Sequence, residues 1–326
     1  MTLVDHIMDK SITLLQASEK GHFDVVKFLI DNGSDIHAVN TNGDTALHRA
    51  SLEGHLDVVK FLVEKGSDIH AVDNDGSTAL HRASFWGHLD TVKFLVDKGA
   101  NIHAVDNDGY TALHCASGKG HLDVVKFLVD KGANIHAVDN DGYTALHCAS
   151  GKGHLDVVKF LVDEGADIHA AGNIRGDTAL HRASFWGHLD TFKFLVDRGA
   201  NIHAVSNDGY NALHCASLKG HLDVVKFLVD KGANIHAVDN YGYTALHIAS
   251  YNDHLNIVEL LSGSFKLTGV TIVSKLTNDY VCPICRCHDN EEVVELCTCK
   301  HQFHTDCITE WSKRVSTCPM CRTKCL

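Results

Sequence analysis

Eleven residues near the carboxyl end, CTCKHQFHTDC at 297–307, hold five side chains that bind transition metals: Cys297, Cys299, His301, His304 and Cys307. Two further pairs flank them, CPIC at 282–285 and CPMC at 318–321. Two cysteines separated by two residues can turn both sulfurs onto one ion at about 2.3 Å, filling half of a tetrahedral shell. The flanking pairs therefore ask the middle segment for four ligands, enough to complete two ions. His304 and Cys307, with two residues between them, form one natural pair. Cys299 and His301 form the other when the stretch is read continuously as C-x-H-x2-H-x2-C. Cys297 with Cys299 is the alternative, and it drops His301. The continuous reading is preferred here and leaves Cys287, Cys297 and Cys325 as bystanders.

Nine of the 12 cysteines lie between 282 and 325. The amino terminus, MTLVDHIMDKS, carries acids and no long apolar run, which is not the pattern of a secretory leader. No stretch approaches the 18 or so apolar residues that would cross a bilayer, so no membrane partner is expected. A reducing compartment, cytoplasm or nucleus, is expected, and clustered cysteine and histidine there point to metal rather than disulfides. The formal charge is −12. Residues 275–326 carry seven basic and seven acidic side chains, so the whole excess sits in the preceding body. An acidic body is unsuited to a nucleic-acid backbone, which needs stripes of Lys and Arg.

That body, residues 12–263, is one motif repeated. TALH occurs at 45, 78, 111, 144, 178 and 244, and NALH at 211. A degenerate copy beginning at Ile12 makes eight. A fixed period near 33 residues is the mark of stacked supersecondary units. In each copy a Thr can cap a short first helix, such as TALHRASLE ending at Gly54. A second helix, LDVVKFLVEK, places Leu56, Val59, Phe61, Leu62 and Val63 close to helical spacing and stops at Gly66. NDG sequences such as 107–109 supply a tight turn into the next copy. One extra residue falls in AAGNIRGDT, at a turn where an insertion costs little.

Of 26 histidines, 22 recur at three repeat positions: ALH, the residue before the second helix, and IHA. They are expected to hydrogen-bond loops to helices of adjacent copies rather than to bind metal. Cys115, Cys148 and Cys215 stand where Arg49, Arg82 and Ile248 stand elsewhere, and read as small apolar fillers.

The repeats resemble the ankyrin repeat, whose pattern runs roughly G-x-T-P-L-H-x-A-A-x-x-G-H, an apolar helix, then G-A-D-V-N-A. Ala replaces the family's Pro at the first helical position, and His replaces its Asn in IHA. The resemblance implies a mainly α protein, an ankyrin-repeat solenoid of eight helix–turn–helix copies with projecting turns. It also implies a protein substrate on the concave face. Positions that vary between copies fall there: Phe85, Trp86, Tyr110, Tyr143, Phe185, Trp186, Tyr210 and Tyr243.

The carboxyl-terminal stretch resembles the RING finger, in the form with two central histidines, and all eight ligand positions match. By that resemblance Cys282, Cys285, His304 and Cys307 hold a first zinc, and Cys299, His301, Cys318 and Cys321 a second, in a small α+β domain. Ile284, Trp311 and Pro319 stand at the family's groove for the ubiquitin-conjugating enzyme (E2). Arg322 stands where a cation contacts both E2 and ubiquitin. The expected division is an N-terminal cap (1–11), the repeats (12–263), a linker with a possible strand at VTIV (264–281), the RING (282–321) and a tail (322–326).

The resemblance implies a RING-type E3 ubiquitin transferase in which the array recruits substrate. The other class is a non-catalytic ankyrin scaffold whose zinc domain only mediates protein contacts. An autoubiquitination assay separates the two. The long uniform array, with HAVDNDGYTALH wording, also resembles ankyrin proteins of giant DNA viruses. On that reading the substrate and the compartment belong to a host cell.

Overall fold

The structure, a computed structural model, describes residues 13–262 and three strands beyond them. Among the described residues there are sixteen helices in eight pairs. The chain divides into two compact units, Met1–Asp208 and Gly209–Leu326.

The first unit holds six pairs. Its first helices are α1 (Leu14–Glu19), α3 (Ala46–Glu53), α5 (Ala79–Trp86), α7 (Ala112–Lys119), α9 (Ala145–Lys152) and α11 (Ala179–Phe185). Its second helices are α2 (Phe23–Asp31), α4 (Leu56–Glu64), α6 (Leu89–Asp97), α8 (Leu122–Asp130), α10 (Leu155–Asp163) and α12 (Leu189–Asp197). Each helix touches its own partner and the equivalent helices of the copies beside it. The first helices meet through small side chains such as Ala46, Ala50 and Ser51, so their backbones approach closely. The second helices bury bulkier residues, such as Val58, Val59 and Leu62, and meet one another less. Buried leucines from both rows, Leu47 with Leu62 and Leu113 with Leu128 for example, form the core. None of these short helices would persist alone, since isolated helices under about a dozen residues are marginal in water. Stacking supplies the apolar surface that each copy lacks.

Thr is the N-cap of the first helices, as the sequence suggests. The partner at N3 is Gln16 in the first copy and a histidine in the others. Thr45 donates its backbone N–H to His48 Nδ1 at 3.2 Å, while His48 donates its own N–H to Thr45 Oγ1 at 3.4 Å. Because Nδ1 accepts, the ring proton sits on Nε2. That N–H donates to the carbonyl of Ser77 in the next copy, at 3.0 Å. His114 reaches the Tyr143 carbonyl in the same way, at 3.1 Å. The histidine before each second helix reaches backwards instead: His88 Nε2 lies 2.9 Å from the Leu52 carbonyl and His121 Nε2 lies 3.0 Å from that of Phe85. One histidine thus ties a copy forward and another ties it back. The glycine of the GH pair belongs to the same device. Gly54 is left-handed (φ 75°), and a β-carbon there would lie 2.4 Å from the His88 ring.

The IHA histidines depart from the expected bonding. His37, His70, His103, His136, His169, His203 and His236 are exposed. Backbone N–H groups hold their turn: those of His37 and His103 donate to Asp35 and Asn101 side chains two residues earlier. An imidazole that faces solvent has no carbonyl of a neighbouring copy to reach.

A second repeated feature is a buried serine hydroxyl. Ser51, Ser117 and Ser150 are fully buried, and their Oγ atoms have no hydrogen-bond partner. A buried hydroxyl without a partner costs about 1–3 kcal/mol relative to its solvated state. Ser117→Ala is therefore expected to raise the melting temperature of the array, and a lower one would contradict this account of the hydroxyl.

The second unit holds α13 (Ala212–Lys219), α14 (Leu222–Asp230), α15 (Ala245–Tyr251) and α16 (Leu255–Leu261), packed by the same rules. It also holds a three-stranded antiparallel sheet in the order β1 (Val270–Val273), β2 (Val293–Leu296), β3 (Gln302–His304). Val273 pairs with Val293, and Val293 with His304. The strand suggested at VTIV is β1, so the segment read as a linker contributes an outer strand to this sheet.

Candidate functional site

In the first unit, first helices and the turns beside them line a cleft of about 230 Å³ that includes Asp75, Arg82, Phe85, Asp108, Tyr110 and Cys115. Phe85 and Trp86 meet edge to face, ring centres 5.5 Å apart, and Trp86 is 54% exposed. Phe185 and Trp186 repeat the arrangement at 5.2 Å. Lysines cover these rings: Lys119 Nζ stands 4.2 Å from the Phe85 ring centre, and Lys152 Nζ stands 5.8 Å from that of Trp186. An exposed aromatic partly covered by a cation is a surface that can trade one partner for another at modest cost. Tyr110 is half-buried against His114, and burial pushes its phenol well above the ordinary range. Tyr143 is buried, so it supports the face from beneath. In the second unit Tyr210 stacks on His214, and Tyr243 stands half exposed beside His247.

The cysteines on this face are inert fillers. Burial pushes the thiols of Cys115 and Cys148 up to about 12, far from the thiolate that a nucleophile or metal ligand needs. Arg82 was not singled out from the sequence. It donates through Nε (3.0 Å) and Nη2 (2.5 Å) to the buried carboxylate of Asp73, nine residues earlier. Residue type did not announce the pair, because Asp106 and Asp139 fill the turn position in copies that carry Cys115 and Cys148 at the helix position.

Among the described residues no cluster of three or more His, Cys, Asp or Glu is placed to hold a metal, and no helix is long and apolar enough to cross a membrane. Of the expected zinc ligands, His304 ends β3 opposite Val293. Cys299 and His301, with Cys297, belong to the five residues that join β2 to β3. Cys282, Cys285, Cys299, His301, Cys307, Cys318 and Cys321 lie outside the described residues, as do Ile284, Trp311, Pro319, Arg322 and residues 1–11.

Residues 14–106, 99–172, 137–206 and 199–270 each match the family described as ankyrin repeats, and together they span most of the chain. The protein belongs to the ankyrin-repeat family. Residues 270–322 match the RING-H2 zinc finger domain, which makes this carboxyl-terminal segment a zinc-binding module. The segment is similar to the RING-H2 finger protein ATL22 of Arabidopsis thaliana, 49% identical over 49 residues, 14% of this chain and 13% of that protein. It is also similar to the E3 ubiquitin-protein ligase RNF181 of Mus musculus, 38% identical over 53 residues, 16% of this chain and 32% of that protein. A third similarity is to the putative ankyrin repeat protein R886 of Acanthamoeba polyphaga mimivirus, 49% identical over 49 residues, 14% of this chain and 38% of that protein. The chain thus spans well under half the length of the curated relatives it matches.

Proposed function

We propose that this protein is a RING-type E3 ubiquitin ligase in which the ankyrin array recruits a substrate protein and the RING holds an E2 charged with ubiquitin. The observation that carries the reading is the RING-H2 match over residues 270–322, joined in one chain to an array with an aromatic, cation-covered face. The donor set fits zinc: six thiols and two imidazoles are the soft and borderline ligands that this ion takes in closed tetrahedral sites. Cys282, Cys285, His304 and Cys307 would hold one ion, and Cys299, His301, Cys318 and Cys321 the other.

With four protein ligands each, these zinc ions would organise the finger and would leave no position open for water. The chain's own contribution is positional. Ile284, Trp311 and Pro319 form an apolar seat for the E2, and Arg322 donates hydrogen bonds that restrict ubiquitin. A substrate lysine then attacks the thioester between E2 and ubiquitin, the E2 cysteine leaves as thiolate, and an isopeptide bond forms. The gain comes from holding reactants in a productive pose. The array contributes by raising the local concentration of substrate. Thiol ligands suit a reducing compartment, cytoplasm or nucleus.

Reconstitution with ubiquitin, its activating enzyme and a panel of E2 proteins tests the reading. Ubiquitin chains are expected on the protein itself. Ile284→Ala or Trp311→Ala is expected to lower their synthesis at least tenfold while the zinc content stays at that of the unaltered protein. Chains that form equally well in both variants would remove the proposed seat.

A further inference from the structure

The near identity of the copies lets one arginine be compared with its equivalents. Arg49 is neutralised by Glu19 of the preceding copy at 2.6 Å and by Asp44 at 3.4 Å. Arg82 is neutralised by Asp73, with Asp75 at 3.4 Å. Arg182 occupies the same helix position, and among the described residues it forms no ion pair. Three of these four acids have been replaced, and Asp177 keeps the place of Asp44. Gly151 stands where Glu19 stands, and Gly172 where Asp73 stands. Arg175 stands before the turn glycine, where Asp75, Asp108 and Asp141 stand, so one charge there is reversed.

Packing shows why no acid returns. The Tyr143 ring fills the space of the lost side chain, and a β-carbon on Gly172 would lie 2.5 Å from its Cε1. The Arg182 guanidinium lies against Gly151 and over the Tyr143 ring, 4.8 Å from its centre. Its Nε is buried without a hydrogen-bond partner. Asp177, the remaining acid nearby, is 3.4 Å from the Tyr143 hydroxyl, which donates to it. The charge of Arg182 reaches buried neighbours: after burial itself, it helps hold His147 down.

We infer that Arg182 is the anchor for an acidic side chain of a protein partner laid across the first-helix row. A guanidinium is a planar fork that matches a carboxylate with two parallel hydrogen bonds. Here the fork is held by an aromatic face beneath it, and the exposed Trp186, four residues on, offers apolar contact beside it. The partner segment therefore carries Asp or Glu next to a large apolar residue. The inference deepens the substrate-recruiting half of the proposed function and rests on it.

The test uses the whole chain as bait for a display library of random twelve-residue peptides, with Arg182→Gln and Arg82→Gln as parallel baits. Peptides selected by the unaltered chain are expected to share an acid at one fixed position. Arg182→Gln is expected to lose that acid preference, and Arg82→Gln to keep it. A selected peptide resynthesised with Gln or Asn for the acid is expected to bind the unaltered chain about tenfold or more weakly, and Arg182→Gln with no such loss. Peptides without a common acid, no enrichment over blank support, or an acid preference that survives Arg182→Gln each overturn the inference. Autoubiquitination run on the same variants keeps the two readings apart, because its failure would remove the ligase and leave the peptide result standing.

Discussion

Chelating zinc from this protein is expected to abolish ubiquitin-chain synthesis while leaving nearly all of the helical circular-dichroism signal in place. A segment of about forty residues buries too little surface to fold unaided. Structural zinc contributes about 10–16 kcal/mol of apparent binding energy in small fingers, which is also their folding energy. The helices of the first unit, α1 to α12, include no part of the finger and owe their burial to one another. They should therefore melt at the same temperature with and without the metal. Adding zinc back should restore activity, and Cys282→Ser or Cys318→Ser should reproduce the loss without a chelator. Activity that survives full chelation, or an array that melts with the finger, would contradict this division of labour.

Acidification is expected to act on the array instead. His48, His81, His114 and His147 each sit in a capping box where Nδ1 accepts a backbone N–H, so the ring is held neutral. Burial is the main cause that lowers all four, and His147 falls to about 4. In the unfolded chain a histidine titrates near 6.5. Between about 6.5 and the folded value the unfolded state binds more protons, so stability falls as pH falls through that window and levels off below it. His147 alone accounts for about 3 kcal/mol at about 1.4 kcal/mol per pH unit, and the others act in the same direction. Thermal melts followed at 222 nm should thus show a markedly lower midpoint at pH 5 than at pH 7.5. An unchanged or higher midpoint at pH 5 would contradict the neutral capping histidines.

Much of the fold was legible because the period is repeated eight times. Thr45 and its equivalents announced the helix starts, and Gly54 the helix ends. The histidine of ALH was legible as a hydrogen-bonding residue, but its place as N3 of the capping box was not, because that box is usually closed by Glu or Gln. The exposed row from His37 to His236 could not be told from the buried ones by residue type alone. Solvent exposure depends on which turn the neighbouring copy covers.

The zinc-finger segment was legible for a different reason: a Cys-x2-Cys pair states its chemistry in its own spacing. The pairing of β1 with β2 was not, since nineteen intervening residues set no register. The unmatched charge of Arg182 was hidden as well. It depends on an insertion in one turn, a glycine in the copy before, and the tyrosine that moves into the gap.

The most direct test of the ligase reading is the discharge of an E2 already charged with ubiquitin onto free lysine, with no substrate protein present. The account predicts that the unaltered chain accelerates loss of the thioester by at least tenfold and that Trp311→Ala, with its zinc intact, does not. An E2 that discharges at its unassisted rate in the presence of the unaltered, zinc-loaded chain, across the panel, would contradict the account.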